Sequence, residues 1–151
     1  MKYPGDPIYS FTYNFRFLSN FYVCPQLIRF ESQDYTTVEN AYQAAKTIDR
    51  KIRHSISYMT ADQAKRAGAA VKLRPGWDAM KIDVMRLLLR EKFAQPDLSR
   101  MLLDTAGREL IEGNSWGDTF WGMTYTSGEL VGDNHLGKLL MEIRMELEGE
   151  T

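Results

Sequence analysis

Four residues in the first third of the chain have types and a spacing that suit chemistry on a sugar. Glu39, Tyr42, Gln43 and Lys46 follow one another at i, i+3, i+4 and i+7, which places them on one side of a helix. A carboxylate can exchange a proton, an amide can bind hydroxyls, and the helix start near Glu39 favours an anionic group. Thr36 and Glu39 also match a capping box, so Glu39 could serve only the helix start and Lys46 could be a solvated lysine. The spacing alone leaves both interpretations open.

A second candidate region is rich in glycine and tryptophan. Trp116, Asp118, Trp121 and Gly122 lie close together in the segment WGDTFWG. Exposing tryptophan in a loop is unfavourable, so the two rings either stack on a flat ligand such as a nucleobase or cover the edge of the core. The residues alone do not decide between these two roles.

Two further segments hold candidate ligand-binding residues. Arg74 precedes a predicted helix start at Trp77, with Lys81 about one turn later, and an arginine at this place suits a phosphate. Alternatively, the residues from Pro75 to Trp77 only begin and anchor the helix. Asn134, ahead of the last predicted helix, could be a plain N-cap or could orient a ribose hydroxyl.

The composition disfavours several classes of chemistry. One cysteine permits no intrachain disulfide and suits a reducing compartment, and two histidines do not favour a metal site, so we expect no metal. The sequence has no phosphate loop, dinucleotide-binding glycine motif or nucleophile elbow, and we expect no cofactor. The net charge of −1 gives no support for non-specific nucleic-acid binding. With no long apolar run and no apolar leader, we expect a cytoplasmic protein that does not enter a membrane.

The elements predicted to position these residues form an α+β fold that is mostly helical, with a few short, largely N-terminal strands. We expect a single domain over residues 1–151, with its core at about 10–147. Strands are predicted at 8–17, 26–31, 109–112 and 120–125, and a loop at Ser19–Tyr22. Helices are predicted to begin at Thr36, Thr60, Trp77, Asp97 and either Asp133 or Asn134. The helix from Trp77 has a predicted buried row of Met80, Val84, Leu87 and Leu88, ending at Glu91.

Taken together, these segments resemble the NADAR domain family of YbiA-like N-glycosidases, from about Ser10 to Leu147. The resemblance rests on the order and spacing of Phe17–Tyr22, Val38–Lys46, Leu73–Asp78, Lys92–Phe93, Phe120–Gly122 and Asn134–Gly137. Members of the family usually have His after the helix glutamate, where this chain has Asn40. We interpret position 40 as a positioning residue and not as the essential base.

The resemblance implies hydrolysis of a bond between ribose C1 and nitrogen. The substrate it implies is either a phosphoribosylamino-pyrimidine intermediate of riboflavin synthesis or ADP-ribose on the guanine bases of nucleic acid. Glu39 is then expected to transfer a proton, Lys46 to capture the sugar as a Schiff base, and Asp118 to act as a further acid or base. The residues expected to bind the substrate are Ser19, Asn20, Phe21, Tyr42, Gln43, Arg74, Trp77, Lys81, Trp116, Trp121, Gly122 and Asn134.

Two other classes of function compete with this hypothesis. A non-catalytic module that binds ADP-ribose or a nucleotide would need only stacking and phosphate-binding groups, so the pairing of Glu39 with Lys46 argues against it. A purely structural partner protein is disfavoured by the Gly/Trp-rich loop. The oligomeric state has no signal in the sequence.

Overall fold

A computed structural model describes residues 2–150 of the protein. The chain forms two compact units. One unit contains the described residues up to Ser19 and those from Pro96 onward, and the other contains Asn20–Gln95. Among residues 2–150, no helix has the length and apolar character to cross a membrane.

The unit Asn20–Gln95 is built around one enclosed helix. Its elements are β1 (Ile28–Phe30), β2 (Gln33–Tyr35), α1 (Val38–Ala45), α2 (Arg50–Ser57), α3 (Ala61–Ala70) and α4 (Trp77–Phe93). Strands β1 and β2 form an antiparallel hairpin, and α1 contacts both strands and the three other helices. All eight residues of α1 are buried. Because this helix has no solvated face, its polar side chains need partners within the protein or on a ligand.

The other unit places a hairpin before the last helix. Its elements are a 3₁₀ helix (Tyr13–Leu18), α5 (Pro96–Leu103), β3 (Thr124–Thr126), β4 (Glu129–Val131) and α6 (His135–Gly149). Helix α5 packs against α6. The helical spacing predicts a buried row of Leu136, Leu139, Leu140, Ile143 and Leu147 on α6, and all but Leu147 are buried. Ser127 and Gly128 connect β3 to β4 with φ angles of 52° and 81°, which suits the tight turn of a two-residue hairpin.

The α+β prediction is confirmed, and so are several helix starts. Thr60 and Gln63 form a capping box at the predicted start of α3, and α4 begins at Trp77 as expected. Gly76 precedes α4 in the left-handed region at φ 77°, a conformation that glycine adopts without steric cost. Asn134 is the residue before α6, as predicted.

The strand predicted at 8–17 is wrong. These residues contain most of the 3₁₀ helix, in which Phe17 and Leu18 are buried, and a single bridge between Ile8 and Leu110. The same bridge is what remains of the strand predicted at 109–112. Of the aromatic residues that favour a strand, Phe11 and Phe17 are buried without one, whereas Tyr9 and Tyr13 are exposed. Strand propensity mainly measures how well a side chain fits a half-buried surface, so it does not by itself fix the backbone conformation.

Two helix starts were also predicted at the wrong residue. The hydroxyl of Thr37, not that of Thr36, accepts a hydrogen bond from the backbone N–H of Asn40 and caps α1. Helix α5 begins at Pro96, so Asp97 lies inside its first turn instead of capping it. Proline is favoured at this first position because the missing N–H would have no helical partner there.

The buried face of α4 differs from the predicted row. Leu87 is 51% exposed, whereas Met85, Leu89 and Lys92 are buried. Lys92 is completely enclosed, and its burial lowers the pKa to about 8. A hydrophobic pattern could not predict this face because one of its members is a lysine.

Candidate active site

Glu39 lies in the first turn of α1 and is fixed there by two hydrogen bonds. Its Oε1 atom accepts from Nε2 of Gln43 at 2.9 Å, and its backbone N–H donates to the carbonyl of Asn20 at 3.0 Å. Since Thr37 caps the helix, Glu39 is not needed to close its start. Glu39 is 7% exposed and stands at the positive end of the helix dipole, which stabilises a carboxylate. Its position is that of a buried acid at the start of a helix.

Asn20, whose backbone carbonyl accepts the hydrogen bond from Glu39, also has a buried side-chain acceptor. Among residues 2–150, its Oδ1 atom has no hydrogen-bond partner, while its Nδ2 atom donates to the sulfur of Met85 at 3.5 Å. A buried oxygen without a partner is unfavourable, so it suits a ligand that brings a hydroxyl or amino donor. This geometry supports the predicted substrate contact of Asn20.

Gln43 is held between Glu39 and helix α3. Its Nε2 atom donates to Glu39, and its Oε1 atom is buried without a partner in the described residues. A Cβ atom added at Gly68 of α3 would overlap that oxygen and lie 2.7 Å from Cδ of Gln43. The absence of a side chain at Gly68 therefore lets Gln43 occupy this place, from which it orients the carboxylate of Glu39.

The change Gly68→Ala tests this arrangement. Alanine in a helix interior is normally favoured over glycine by about 1 kcal/mol, but the overlap with Gln43 imposes an overpacking cost of about 1–3 kcal/mol. We expect the free energy of unfolding to fall in urea titrations, and the rate of turnover to fall as Glu39 loses its partner. The control is Gly149→Ala at the end of α6, where an added Cβ has nothing within 4 Å. A stabilised, fully active Gly68→Ala variant would contradict the arrangement.

Lys46 directly follows α1 and packs against an aromatic pair. Its Nζ atom is 5.6 Å from the ring centroid of Tyr42, whose ring lies 5.3 Å from that of Trp77. Burial is the main cause that lowers the pKa of Lys46, and the positive charges of Lys81 and Lys65 lower it further, against an opposite effect of Glu39. Lys46 therefore has a larger fraction of neutral amine than an ordinary lysine, which is the form that attacks a carbon.

The lysines around this amine create a positive field. Lys81 pairs with Asp78 at 3.3 Å, and Nζ of Lys65 is 5.9 Å from the ring centroid of Phe21. Both lysines act electrostatically on Lys46. A positive field around a reactive group attracts an anionic substrate such as a phosphate ester. This supports the predicted phosphate contact of Lys81.

The change Lys81→Gln is expected to move the titration of Lys46 to higher pH. Loss of a neighbouring positive charge makes protonation of Lys46 easier, so its pKa rises. The rate of reductive methylation of Lys46, followed by mass spectrometry across pH, measures this shift. Lys51→Gln, on the exposed surface of α2, is the control and should leave the midpoint unchanged. A midpoint that stays in place or falls in Lys81→Gln would refute the coupling.

Asn40 has a structural role in which both the nitrogen and the oxygen of its side-chain amide form hydrogen bonds. Its Nδ2 atom donates to the carbonyls of Ile56 at 2.9 Å and Met59 at 2.8 Å, and its Oδ1 atom accepts from the hydroxyl of Thr37. The residue is fully buried. These bonds join the start of α1 to the end of α2, which supports the positioning role expected for position 40.

Arg74 stands at the opposite end of α1 from the helix start. One of its guanidinium nitrogens, Nη1, lies 2.8 Å from Oε1 of Glu31 and 3.4 Å from the carbonyl of Ala45. Its predicted contact with a phosphate stays a prediction, because the structure instead gives this group partners within the protein.

The Gly/Trp-rich loop belongs to the other unit and is shaped by Asp118. One oxygen of this carboxylate accepts from the backbone N–H groups of Phe120 at 3.1 Å and Trp121 at 2.9 Å. Trp121 is half-buried, with its ring 4.9 Å from Phe120, and Trp116 is 62% exposed. Asp118 therefore stabilises the turn, and its acid–base role stays a prediction.

Gly122 and Asn134 also hold this unit together. A Cβ at Gly122 would overlap the carbonyl and carboxylate of Glu112. The side chain of Asn134 accepts from the N–H of Glu112 at 3.0 Å and donates to the carbonyl of Leu110 at 2.9 Å, without capping α6. Asn134 thus tethers the segment before the loop, and its contact with ribose stays a prediction.

The predicted site residues divide between the two units. The unit Asn20–Gln95 contains Asn20, Phe21, Glu39, Tyr42, Gln43, Lys46, Arg74, Trp77 and Lys81, and the other contains Ser19, Trp116, Asp118, Trp121, Gly122 and Asn134. The sequence interpretation missed Gly68 and Glu31, both of which contact residues around α1. A glycine within an alanine-rich helix was the available signal for Gly68.

Comparison with known proteins gives a consistent result. The sequence profile of the NADAR domain matches residues 9–148. N-glycosidase YbiA of Escherichia coli is 36% identical over 143 residues, which cover 92% of this chain and 86% of that protein. A riboflavin biosynthesis protein of Vibrio vulnificus is 35% identical over 95% of this chain and 39% of its own length. The NMR structure of E. coli YbiA is similar with a TM-score of 0.77 and 35% identity, over 96% of this chain and 84% of that one.

Proposed function

Because this chain belongs to the NADAR domain family, we propose that it is an N-glycosidase that hydrolyses the bond between ribose C1 and an amino nitrogen of a small phosphorylated substrate. The observation that most supports this activity is the buried acid Glu39 in the first turn of the enclosed helix α1, together with Lys46, an amine of lowered pKa that directly follows this helix. A phosphoribosylamino-pyrimidine has the required bond. We place the enzyme in the cytoplasm.

The reaction needs a proton on the leaving nitrogen and stabilisation of positive charge at C1. Glu39 in its acid form protonates the nitrogen, and its carboxylate then faces the cationic carbon. Gln43 keeps the carboxylate oriented by its hydrogen bond. Addition of one water molecule to C1 and return of its proton to Glu39 complete the cycle, releasing the free amine and ribose phosphate.

Lys46 offers a covalent form of the same reaction. Glu39 protonates the ring oxygen as the sugar opens to an iminium at C1, and the neutral amine of Lys46 attacks this carbon. The attacking nitrogen returns its proton to Glu39, which passes it to the leaving substrate amine, so a Schiff base remains between C1 and Nζ. Hydrolysis by water regenerates Lys46 and releases ribose phosphate, so the net consumption is one water.

The surroundings of the reacting groups indicate the substrate class. The positive field of Lys81 and Lys65 suits a phosphate, and the Oδ1 atom of Asn20, which has no hydrogen-bond partner among residues 2–150, suits a hydroxyl or amino group. One observation favours ADP-ribosylated guanine as a second candidate: Trp116 exposes 62% of its surface on a loop, as expected of a ring that stacks on a base.

A side-by-side turnover assay tests the proposal. The purified protein is incubated with a ribosylamino-pyrimidine phosphate, a free ADP-ribosyl guanine nucleoside and an ADP-ribosylated guanine oligonucleotide, and released amine or base is quantified by chromatography. We expect the fastest release from the first. Calorimetry with the same compounds identifies a binding module, since tight binding without release from any substrate would overturn the enzymatic proposal.

A further inference from the structure

The C-terminal end of α1 is held by two arginines from outside the helix. The backbone N–H of Arg74 donates to the carbonyl of Lys46 at 2.7 Å, and its Nη1 atom donates to the carbonyl of Ala45 at 3.4 Å. Nε of Arg53 donates to the carbonyl of Thr47 at 2.6 Å. The last carbonyls of a helix lack helical partners and favour cations, and α1 has no basic residue in its own last turn. Three successive carbonyls centred on Lys46 thus gain their donors from Arg53 and Arg74.

Glu31 joins these two arginines into one cluster. Its Oε1 atom lies 2.8 Å from Nη1 of Arg74 and 2.9 Å from Nη2 of Arg53. The hydrogen bond from Arg74, followed by that from Arg53, lowers the pKa of Glu31 against the effect of its partial burial. The carboxylate is therefore charged at neutral pH and fixes both guanidinium groups.

The backbone at Glu31 is unusual for a glutamate. Glu31 and Ser32 form the turn between β1 and β2 with φ angles of 44° and 72°. A two-residue turn with both angles positive favours asparagine and glycine, because a β-carbon is crowded in this region. The retention of a long acidic side chain at a strained position is explained when its carboxylate has a specific task.

We propose that Glu31, Arg53 and Arg74 act as positioning residues that fix the end of α1 and thereby hold the amine of Lys46 in its reactive place. This inference rests on the proposed function of Lys46 as a nucleophile. A reacting group must be kept within a fraction of an ångström of its productive geometry, and a residue at a helix end without such support would fray. In this role Arg74 stabilises the end of α1 and does not bind phosphate.

The first test compares Glu31→Gln with Asp34→Asn. Both changes remove one carboxylate from the same hairpin, but the ion pair that Asp34 forms within the described part of the chain is with the exposed Arg29 and does not involve the end of α1. In Glu31→Gln we expect a fall in kcat of about 10–100-fold with KM within about twofold, and an equal fall in the rate of borohydride trapping at Lys46. Asp34→Asn should match the wild type in each measurement. A folded Glu31→Gln variant with wild-type kcat and trapping rate would overturn the proposal.

The second test separates positioning from phosphate binding. Arg74→Lys keeps a positive charge that still attracts phosphate, but the shorter lysine side chain cannot place its ammonium where Nη1 of Arg74 contacts both Glu31 and the carbonyl of Ala45. Positioning therefore predicts a lower kcat with an unchanged KM for the phosphorylated substrate. An unchanged kcat would refute our assignment. If the KM also rises for the phosphorylated substrate and not for the dephosphorylated one, Arg74 binds the phosphate instead.

A substrate-independent measurement distinguishes failure of this inference from failure of the proposed function. The rate at which Lys46 reacts with formaldehyde and borohydride is followed across pH by peptide mass spectrometry in wild type, Glu31→Gln and Asp34→Asn. Release of the helix end should let Lys46 become more solvated and shift its reactivity midpoint upward by about 0.5–1 pH unit in Glu31→Gln alone. An unshifted midpoint refutes the positioning role of Glu31, Arg53 and Arg74 even if turnover is never detected. A shifted midpoint supports this role.

Discussion

Glu39→Gln is expected to lower kcat by about 10³-fold, within the range of about 10²–10⁴ for loss of a positioned general acid. The amide cannot donate the proton that the leaving nitrogen requires, nor can it stabilise positive charge at C1. The fold should survive, because the amide oxygen can still accept the hydrogen bond that Nε2 of Gln43 makes at 2.9 Å. Release of free amine from the best substrate of the turnover assay measures the change.

Two further variants control this prediction. Asp62→Asn removes an exposed carboxylate of α3 that pairs with Arg66, and it should leave kcat within about twofold. Binding of substrate to Glu39→Gln, measured by calorimetry, should remain close to the wild type, because the lost interaction acts mainly in the transition state. A Glu39→Gln variant with more than a tenth of the wild-type kcat would show that the proton comes from another group.

The sequence was sufficient to find the row of Glu39, Gln43 and Lys46, because helical spacing depends only on position along the chain. It was not sufficient to show that Glu39 and Gln43 are buried and that Lys46 is half-buried. Burial comes from α2, α3 and α4 closing around α1, which is a tertiary effect. The polar face that could have been solvated is instead part of an enclosed helix, and this changes the expected chemistry of its residues more than their spacing does.

The supporting residues were the least predictable part of the candidate site. Glu31, in the turn between β1 and β2, and Arg53, in α2, belong to different elements from Lys46, so no local spacing links the three residues. Only the fold brings the two to the carbonyls at the end of α1. Lys92 illustrates the same limit: it occupies the buried face of α4 where a hydrophobic pattern predicted Leu87. Patterns identify apolar faces and local caps, but contacts between distant charged residues depend on tertiary packing.

Lys46→Arg is expected to abolish turnover by the covalent route, with a fall in kcat of about 10³-fold or more. Arginine keeps a positive charge and a similar length, but its guanidinium does not deprotonate and so cannot attack C1. The native lysine is suited to this attack because burial lowers its pKa. Turnover assays should show the loss, and borohydride added during turnover should give a sugar adduct on Lys46 in the wild type only.

The size of the remaining activity distinguishes the two forms of the reaction. If water attacks C1 directly with Glu39 as the acid, Lys46→Arg keeps a cation near the substrate phosphate and should lose no more than about tenfold in kcat. Lys72→Arg, at an exposed lysine, is the matched control and should be fully active. A nearly active Lys46→Arg enzyme without any trapped adduct in the wild type would exclude the Schiff base. Glu39 would then be the group that catalyses the reaction, and Lys46 would bind the substrate. In that case the reaction requires the positive charge of the lysine and not its neutral amine.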